Sequence, residues 1–250
     1  MDRLHDRIEE ACLNAWPALR TVHYDGWILR FADGETRRSN SVNVLHDGVV
    51  DLQTKIDVCE AVFRVQAVPP CFRIRSTDDP ALDAALAGRG YGVAGETCTL
   101  LMPSIRAAIG SAALAADVTF AETPDADWCA AHARFVGTPP DTALLRRRLL
   151  GLIAVPTIFA ACRDAAGAIV SLAYGAAHDG MLCLQWVATD PGLRARGLSR
   201  ATLRALLARA ARLGLADAAV LQVEAANAPA LRLYRGFGFA AEVNRYHYRQ

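Results

Sequence analysis

Two hydrophobic rhythms alternate along the second half of the chain. Leu203, Leu206, Leu207, Ala210 and Leu213 recur at helical spacing, with Arg204, Arg209 and Arg212 on the opposite arc. That is the pattern of a half-buried helix, and Gly214 offers it a C-terminal stop. The apolar run MLCLQWVA before it reads as a strand. After it, DAAVLQVEA reads as a strand, NAPALRLYRGFG as a short helix and FAAEVNRYHYR as a last, alternating strand. Upstream, ADVTFAE, TIFAACRD and AIVSLAYGAA are strand candidates. PDADWCAAHARFVG and PDTALLRRRLLGLI are helices opened by Pro-Asp. The order over residues 116–250 is mixed α/β.

The first hundred residues end on a similar order. DLQTKIDVCEAVFRVQ places Leu52, Ile56, Cys59 and Phe63 on one helical face. CFRIRST is a strand, DPALDAALAGRGY a short helix and GVAGETCTLLM a strand. Asp79–Tyr91 overlays Asn227–Phe239 without gaps, with Gly90-Tyr91 on Gly238-Phe239. Residue identity in the overlay is weak, yet the order of elements repeats, which an internal duplication explains. The expected division is 1–103, an Ala-rich linker at 104–115, and 116–250.

Composition narrows the function. With 53% hydrophobic and 21% charged residues the chain can bury a large core. A net charge of +1 gives no basic field for nucleic acid, and no apolar run is long enough to span a membrane. The N-terminus, MDRLHDRIEEACLNAW, is a charged helical pattern rather than a secretory signal. Seven scattered cysteines without a C-x-x-C pair, and six histidines without ligand spacing, favour no disulfide framework and no metal. Reduced thiols fit a cytoplasmic protein.

The stretch TDPGLRARGLSR, Thr189–Arg200, carries three arginines and two glycines where a strand hands over to a helix. A helix N-terminus presents unpaired N–H groups and the positive end of the macrodipole. Gly197 lets an anion approach the backbone, and Arg194 and Arg196 add charge. Strand, basic turn and helix together make a phosphate cradle; a solvated basic turn is the plainer alternative.

VATDPGLRARGLSRATL resembles the acetyl-CoA pyrophosphate loop of the GCN5-related N-acetyltransferases, Gln/Arg-x-x-Gly-x-Gly/Ala, read here as Arg194, Gly197 and Ser199. Ser199 departs from the last position but is small. NAPALRLYRGFGF is similar to the family's second signature, through Asn227, Leu233-Tyr234 and Gly238-Phe239. The resemblance covers residues 116–250. It implies an acyl-CoA N-acyltransferase fold built of two pseudo-repeated α/β halves, acetyl-CoA as acyl donor and a small-molecule or peptide amine as acceptor. The first half then resembles a degenerate copy: Leu86 stands where Tyr234 stands, and LHDGVVDLQ puts Asp47 and Asp51 where arginines would be wanted. Tandem members with one inactive half are known in the family.

The resemblance also implies residue roles. The Val187 N–H would polarise the thioester carbonyl, while Ala188 and Thr189 hold the pantetheine arm. Backbone N–H groups of Ala195, Arg196, Gly197, Leu198, Ser199 and Arg200, with Arg194, would hold the pyrophosphate. Tyr234 would protonate the departing thiolate, and Asn227 would bind pantetheine or orient the site. Glu224 is the candidate general base, acting through water; a structural carboxylate is an equal reading. His132 and His178 read as helix and turn residues, and His247 could line the acceptor side. ETRRSNSVN, residues 35–43, reads as a solvated hairpin, with reach into the acceptor pocket as the alternative. A non-catalytic acyl-CoA sensor, another acyl group or acceptor, and a homodimer all stay open.

Overall fold

The computed structural model describes residues 3–34, 36–109 and 117–250. Glu35 and the linker from residue 110 onward lie outside them. The chain forms two compact units. One holds Met1–Trp16, Leu100–Val223 and Asn227–Glu242, and the other Pro17–Thr99, Glu224–Ala226 and Val243–Gln250.

In the first unit, β6 (Val118–Ala121), β7 (Thr157–Arg163), β8 (Ile169–His178) and β9 (Met181–Thr189) pair antiparallel in succession. The strand β10 (Ala218–Glu224) joins β9 in parallel. Nine of the ten residues of β8 are buried, so it reads as an apolar run rather than an alternation. It is covered by α1 (Arg3–Ala15), α5 (Ala126–Val136) and α7 (Leu198–Arg212). Gly175 leaves room there: a Cβ would sit 2.9 Å from the Leu182 side chain of β9, which would have to shift.

The helix α1 shows how the division expected from sequence differs from the units. Its Ile8, Ala11, Cys12 and Ala15 are buried at i, i+3, i+4 and i+7, against β8 and β9. Tyr174 Oη of β8 donates to the Ala15 carbonyl at 2.8 Å, and Cys12 Sγ lies 3.8 Å from Cys183 Sγ. Part of the expected linker is also structured: α4 (Ile105–Ile109) buries Ile105 and packs on α7. Periodicity said that 1–16 is a helix, but a helix pattern carries no information about which sheet it covers.

The second unit orders β1 (Arg20–Tyr24), β2 (Trp27–Phe31), β3 (Val42–Val44), β4 (Phe72–Arg75) and β11 (Ala241–Arg249). Most of β5 (Val93–Met102) also falls here. A Tyr-Asp-Gly-Trp hairpin joins β1 to β2, with Asp25 and Gly26 at φ 43° and 84°, the primed turn that Asp-Gly favours. Two helices, α2 (Leu52–Val65) and α3 (Pro80–Gly88), bring Ile56, Cys59, Phe63, Leu82 and Leu86 into one core with Leu29, Phe31, Phe72 and Ile74. The polar run is not a solvated hairpin. Ser39, Asn40, Ser41 and Asn43 are buried, and Asn40 Oδ1 accepts the Ala32 and Gly34 N–H groups at 2.7 and 3.1 Å. A side chain that satisfies its own loop's backbone can be buried without cost in unmade hydrogen bonds.

The pseudo-repeat is visible bond by bond. The helix α8 (Ala228–Arg235) is N-capped by Asn227, as α3 is by Asp79, each with a proline in the first turn. After α3 the Tyr91 N–H donates to Leu86 O and Gly90 N–H to Ala87 O. After α8 the Phe239 N–H donates to Tyr234 O and Gly238 N–H to Arg235 O. Gly90 and Gly238 have φ 89° and 104°, which only glycine adopts freely.

Candidate active site

The first unit opens its sheet beside α7. Parallel pairing between β9 and β10 runs from Met181↔Ala218 to Leu184↔Leu221 and ends there, though both strands continue. On its other edge β9 carries a bulge: Leu172 pairs with Ala188 and Tyr174 with Gln185, so Trp186 and Val187 face Ala173 alone. Trp186 has φ 52°. Trp186, Val187 and Ala188 are half-exposed within a strand that is otherwise buried. The β10-facing edge of β9 past Leu184 thus has no strand partner, while on the other edge the Ser171 hydroxyl donates to the Ala188 carbonyl at 3.1 Å.

The phosphate-cradle candidate lies at the end of the same strand. Asp190 caps a short 3-10 turn at 191–193 by accepting the Gly192 N–H at 2.9 Å. Ala195 (φ 62°) and Gly197 (φ 78°) reverse the chain into α7. Gly197 is the N-cap of α7 and supplies no capping side chain, so the first-turn N–H groups of Leu198, Ser199 and Arg200 have no intrahelical or capping acceptor. Nothing lies within 4 Å of where a Gly197 Cβ would be, and Arg194, Arg196 and Arg200 are exposed. Thr189 and Ser199 have another role besides. Their hydroxyls are 2.6 Å apart, and Thr189 Oγ1 donates to Ser171 Oγ at 2.9 Å, which pins β8, β9 and α7 together. Arg200 reaches α8, lying 5.2 Å over the Phe237 ring and donating to Gly236 O.

Tyr234 sits on α8, half-buried, 6.1 Å edge-on from Phe239. Burial pushes its phenol up to about 12. Asn227 Oδ1 accepts the Ala230 N–H at 3.1 Å, so that side chain starts α8. Glu224 is exposed at the end of β10 and falls in the other unit, where the Ala225 N–H donates to Glu96 O. His247 also belongs there: its Nε2 lies 2.8 Å from Asp83 Oδ1, and Arg249 grips both oxygens of the same carboxylate. Those bonds, Arg249's first, hold Asp83 down at about 2.

The degenerate loop of the second unit is occupied by the protein itself. The N–H groups of Val49 and Val50, just before α2, donate to the two carboxylate oxygens of Asp25 at 3.0 Å each. Lys55 Nζ lies 3.1 Å from Asp25 Oδ2 and 4.5 Å over the Trp27 ring. A Cβ on Gly48 would overlap the Asp25 carboxylate. Asp51, expected to repel an anion, caps α2 by accepting the Thr54 N–H.

Sequence reasoning missed Trp186. Nothing in LQWVA announces a left-handed tryptophan, because the bulge arises from register against β8. It also gave His132 no role beyond its helix. His132 stacks on Trp186 at 4.0 Å between ring centroids. No grouping of histidines, cysteines and carboxylates that could hold a metal occurs among the described residues, and none of their helices is long and apolar enough to cross a membrane.

A bulged strand splayed from its parallel neighbour, with a helix N-terminus at its end, defines an acyltransferase of the GCN5-related type. The fold is shared with a GCN5-related N-acetyltransferase from Kribbella flavida (TM-score 0.71, 18% identity, 99% of this chain and 94% of that one). It is shared also with one from Sphaerobacter thermophilus (0.59, 21%, 79% and 67%) and with a tandem GNAT protein from the clavulanic acid biosynthesis pathway (0.63, 11%, 79% and 68%). No curated protein matches by sequence. Residues 6–249 match the family model described as "Probable histone acetyltransferase Rv0428c C-terminal", and the chain belongs to that family.

Proposed function

We propose that the chain transfers the acetyl group of acetyl-CoA to a primary amine by direct attack in a ternary complex, at the first unit. The observation that carries this reading is the end of β9, which past Leu184 pairs with β8 but not with β10, is bulged at Trp186–Val187 and leads into a helix whose first N–H groups have no side-chain cap. The residues fit the donor: open N–H groups from Ala195 to Arg200 and the charge of Arg194 and Arg196 suit a pyrophosphate. The space above Gly197 lets it approach. Val187 and Ala188 offer backbone groups to the pantetheine arm. The same loop of the second unit has its N–H groups occupied by Asp25, which supports one donor site per chain.

The acceptor must arrive or become neutral, since a lysine-like ammonium has a pKa of about 10.4. That proton passes to water; Glu224, expected as the base, falls in the other unit. The amine nitrogen then forms a bond to the thioester carbon, and the Val187 N–H donates to the oxygen that gains charge. As the C–S bond breaks, the nitrogen gives up its second proton to water, while Tyr234 Oη donates its own proton to the departing sulfur and recovers one from solvent. A phenol near 12 stays protonated at any working pH, but full transfer to a thiolate of pKa about 8.5 is uphill. Tyr234 therefore acts late, as the sulfur charge grows. The family description names histone acetylation for its namesake, and a lysine amine is one acceptor of the proposed class. The reading also puts the chain in the cytoplasm, where its seven cysteine thiols stay reduced.

The test is release of CoA thiol from acetyl-CoA across a panel of primary amines, with the Tyr234→Phe protein beside it. Amine-dependent release that falls in Tyr234→Phe is expected. Binding of acetyl-CoA without turnover on any amine would make the chain a sensor instead.

A further inference from the structure

A tryptophan at φ 52° is in a conformation that bulky side chains disfavour, and such a residue persists only where its surroundings over-determine it. Four aromatic rings surround the half-exposed Trp186 side chain. His132 of α5 stacks on it at 4.0 Å and 17° between planes. Trp128, one turn earlier on α5, lies parallel at 6.1 Å. Trp16, just past the end of α1, meets it at 5.0 Å, and Tyr174 of β8 presents an edge at 5.9 Å. The Arg146 guanidinium, on α6 (Pro140–Leu150), stands 5.8 Å from the ring centroid and donates to Thr138 Oγ1 at 2.9 Å. His132, Trp128 and Trp16 are themselves buried, so the rings cannot yield independently.

The peptide that follows this residue carries the Val187 N–H. Its direction is set by the torsions of Trp186 and Val187, and nothing on β10 pairs at this level to hold it. We propose that His132, Trp128 and Trp16 form a clamp that holds the Trp186 ring, and through it fixes the direction of the Val187 N–H toward the reacting carbonyl. These are positioning residues. They make the N-terminal segment, through Trp16, part of the machinery of the first unit. The inference rests on the reading of Val187 as the oxyanion donor.

The clamp needs flat rings, not an imidazole. His132→Leu nearly conserves volume and removes the stack; His132→Phe restores it without a titratable nitrogen. A 1 Å displacement of a reacting group costs about 10²-fold in rate. His132→Leu is therefore expected to lower kcat by about 10- to 100-fold with KM for acetyl-CoA within twofold, and His132→Phe to recover most of the loss. Trp16→Leu and Trp16→Phe should repeat the pair from the other side of the ring. If the leucine variants do not fold, Trp186→Gly decides: glycine holds positive φ without a ring, and a wild-type kcat from it would overturn the clamp. So would an unchanged kcat in His132→Leu, or a His132→Phe protein as impaired as His132→Leu, which would make the imidazole a chemical participant.

The Val187 amide resonance separates this from failure of the wider reading. A wild-type chain that acetylates no amine, but whose Val187 signal shifts and broadens in His132→Leu and returns in His132→Phe, would sink the donor role and leave the clamp. An active wild type whose Val187 signal ignores all these substitutions would sink the clamp alone.

Discussion

Protonating His132 would place a charge against the Trp186 and Trp128 rings and near the Arg146 guanidinium. Burial first, and Arg146 second, push its pKa down to about 4, against about 6.5 in an unfolded chain. The folded state therefore binds fewer protons between those values, and stability rises with pH there. The contribution is complete above pH 6.5 and is lost as pH falls toward 4. A shift of this size corresponds to about 3 kcal/mol. Urea unfolding at pH 7 and pH 4.5 should show a steeper loss for the wild type than for His132→Phe, which has nothing to protonate at that position. Tyr234→Phe is a cleaner substitution still. It keeps the ring against Phe239 and removes only the donor, so kcat should drop by roughly 10²–10⁴ while acetyl-CoA affinity stays within a few-fold. The deficit should shrink with a thioester whose leaving thiol is more acidic.

At the scale of elements, the N-terminus of α7 and the whole of α1 make separate predictions. Gly197→Glu sets a carboxylate over open N–H groups and forces a side chain onto φ 78°. Calorimetry should find acetyl-CoA binding abolished, while thermal unfolding shows a fold still intact. The helix α1 bears on truncation. A fragment beginning at residue 117 lacks Ile8, Ala11, Cys12, Ala15 and Trp16, which are 0–3% exposed against the sheet of the first unit. Losing several buried apolar side chains, at about 1.5–3 kcal/mol each, exceeds the margin of most domains. That fragment is expected to be insoluble or inactive, and full activity from it would show that α1 is dispensable.

For the whole molecule, the two halves carry the same turn after α3 and α8 but opposite loops before α2 and α7. One loop has its N–H groups bonded to Asp25, and the other leaves them open. Titration with acetyl-CoA should therefore give one site per chain, and Asp25→Asn should not add a second, since Asp47 and the Asp51 cap remain. Two sites in the wild type would show that the loop before α2 can release Asp25.

Helix and strand order from 116 onward, the helices α1, α2 and α3, the glycine-arginine loop and the Asn227–Phe239 segment were legible in the sequence. Each is a local matter: a period of apolar residues, a capping side chain or a glycine at positive φ acts within a few residues of itself. The Asp-Gly turn between β1 and β2 was equally local, though its signal went unread. What only the tertiary structure decided depends on partners distant in the chain. α1 was recognisable as a helix, but its contacts with the sheet lie 159 and 171 residues away, at Tyr174 and Cys183. The bulge at Trp186 exists because β9 has one residue more than β8 between two pairings. The Asp25 carboxylate fills a loop 24 residues downstream, and Glu224 and His247 took surroundings that no spacing pattern encodes. Local propensity names the elements, while register and packing decide which side chains meet, because those energies arise only when remote segments are brought together.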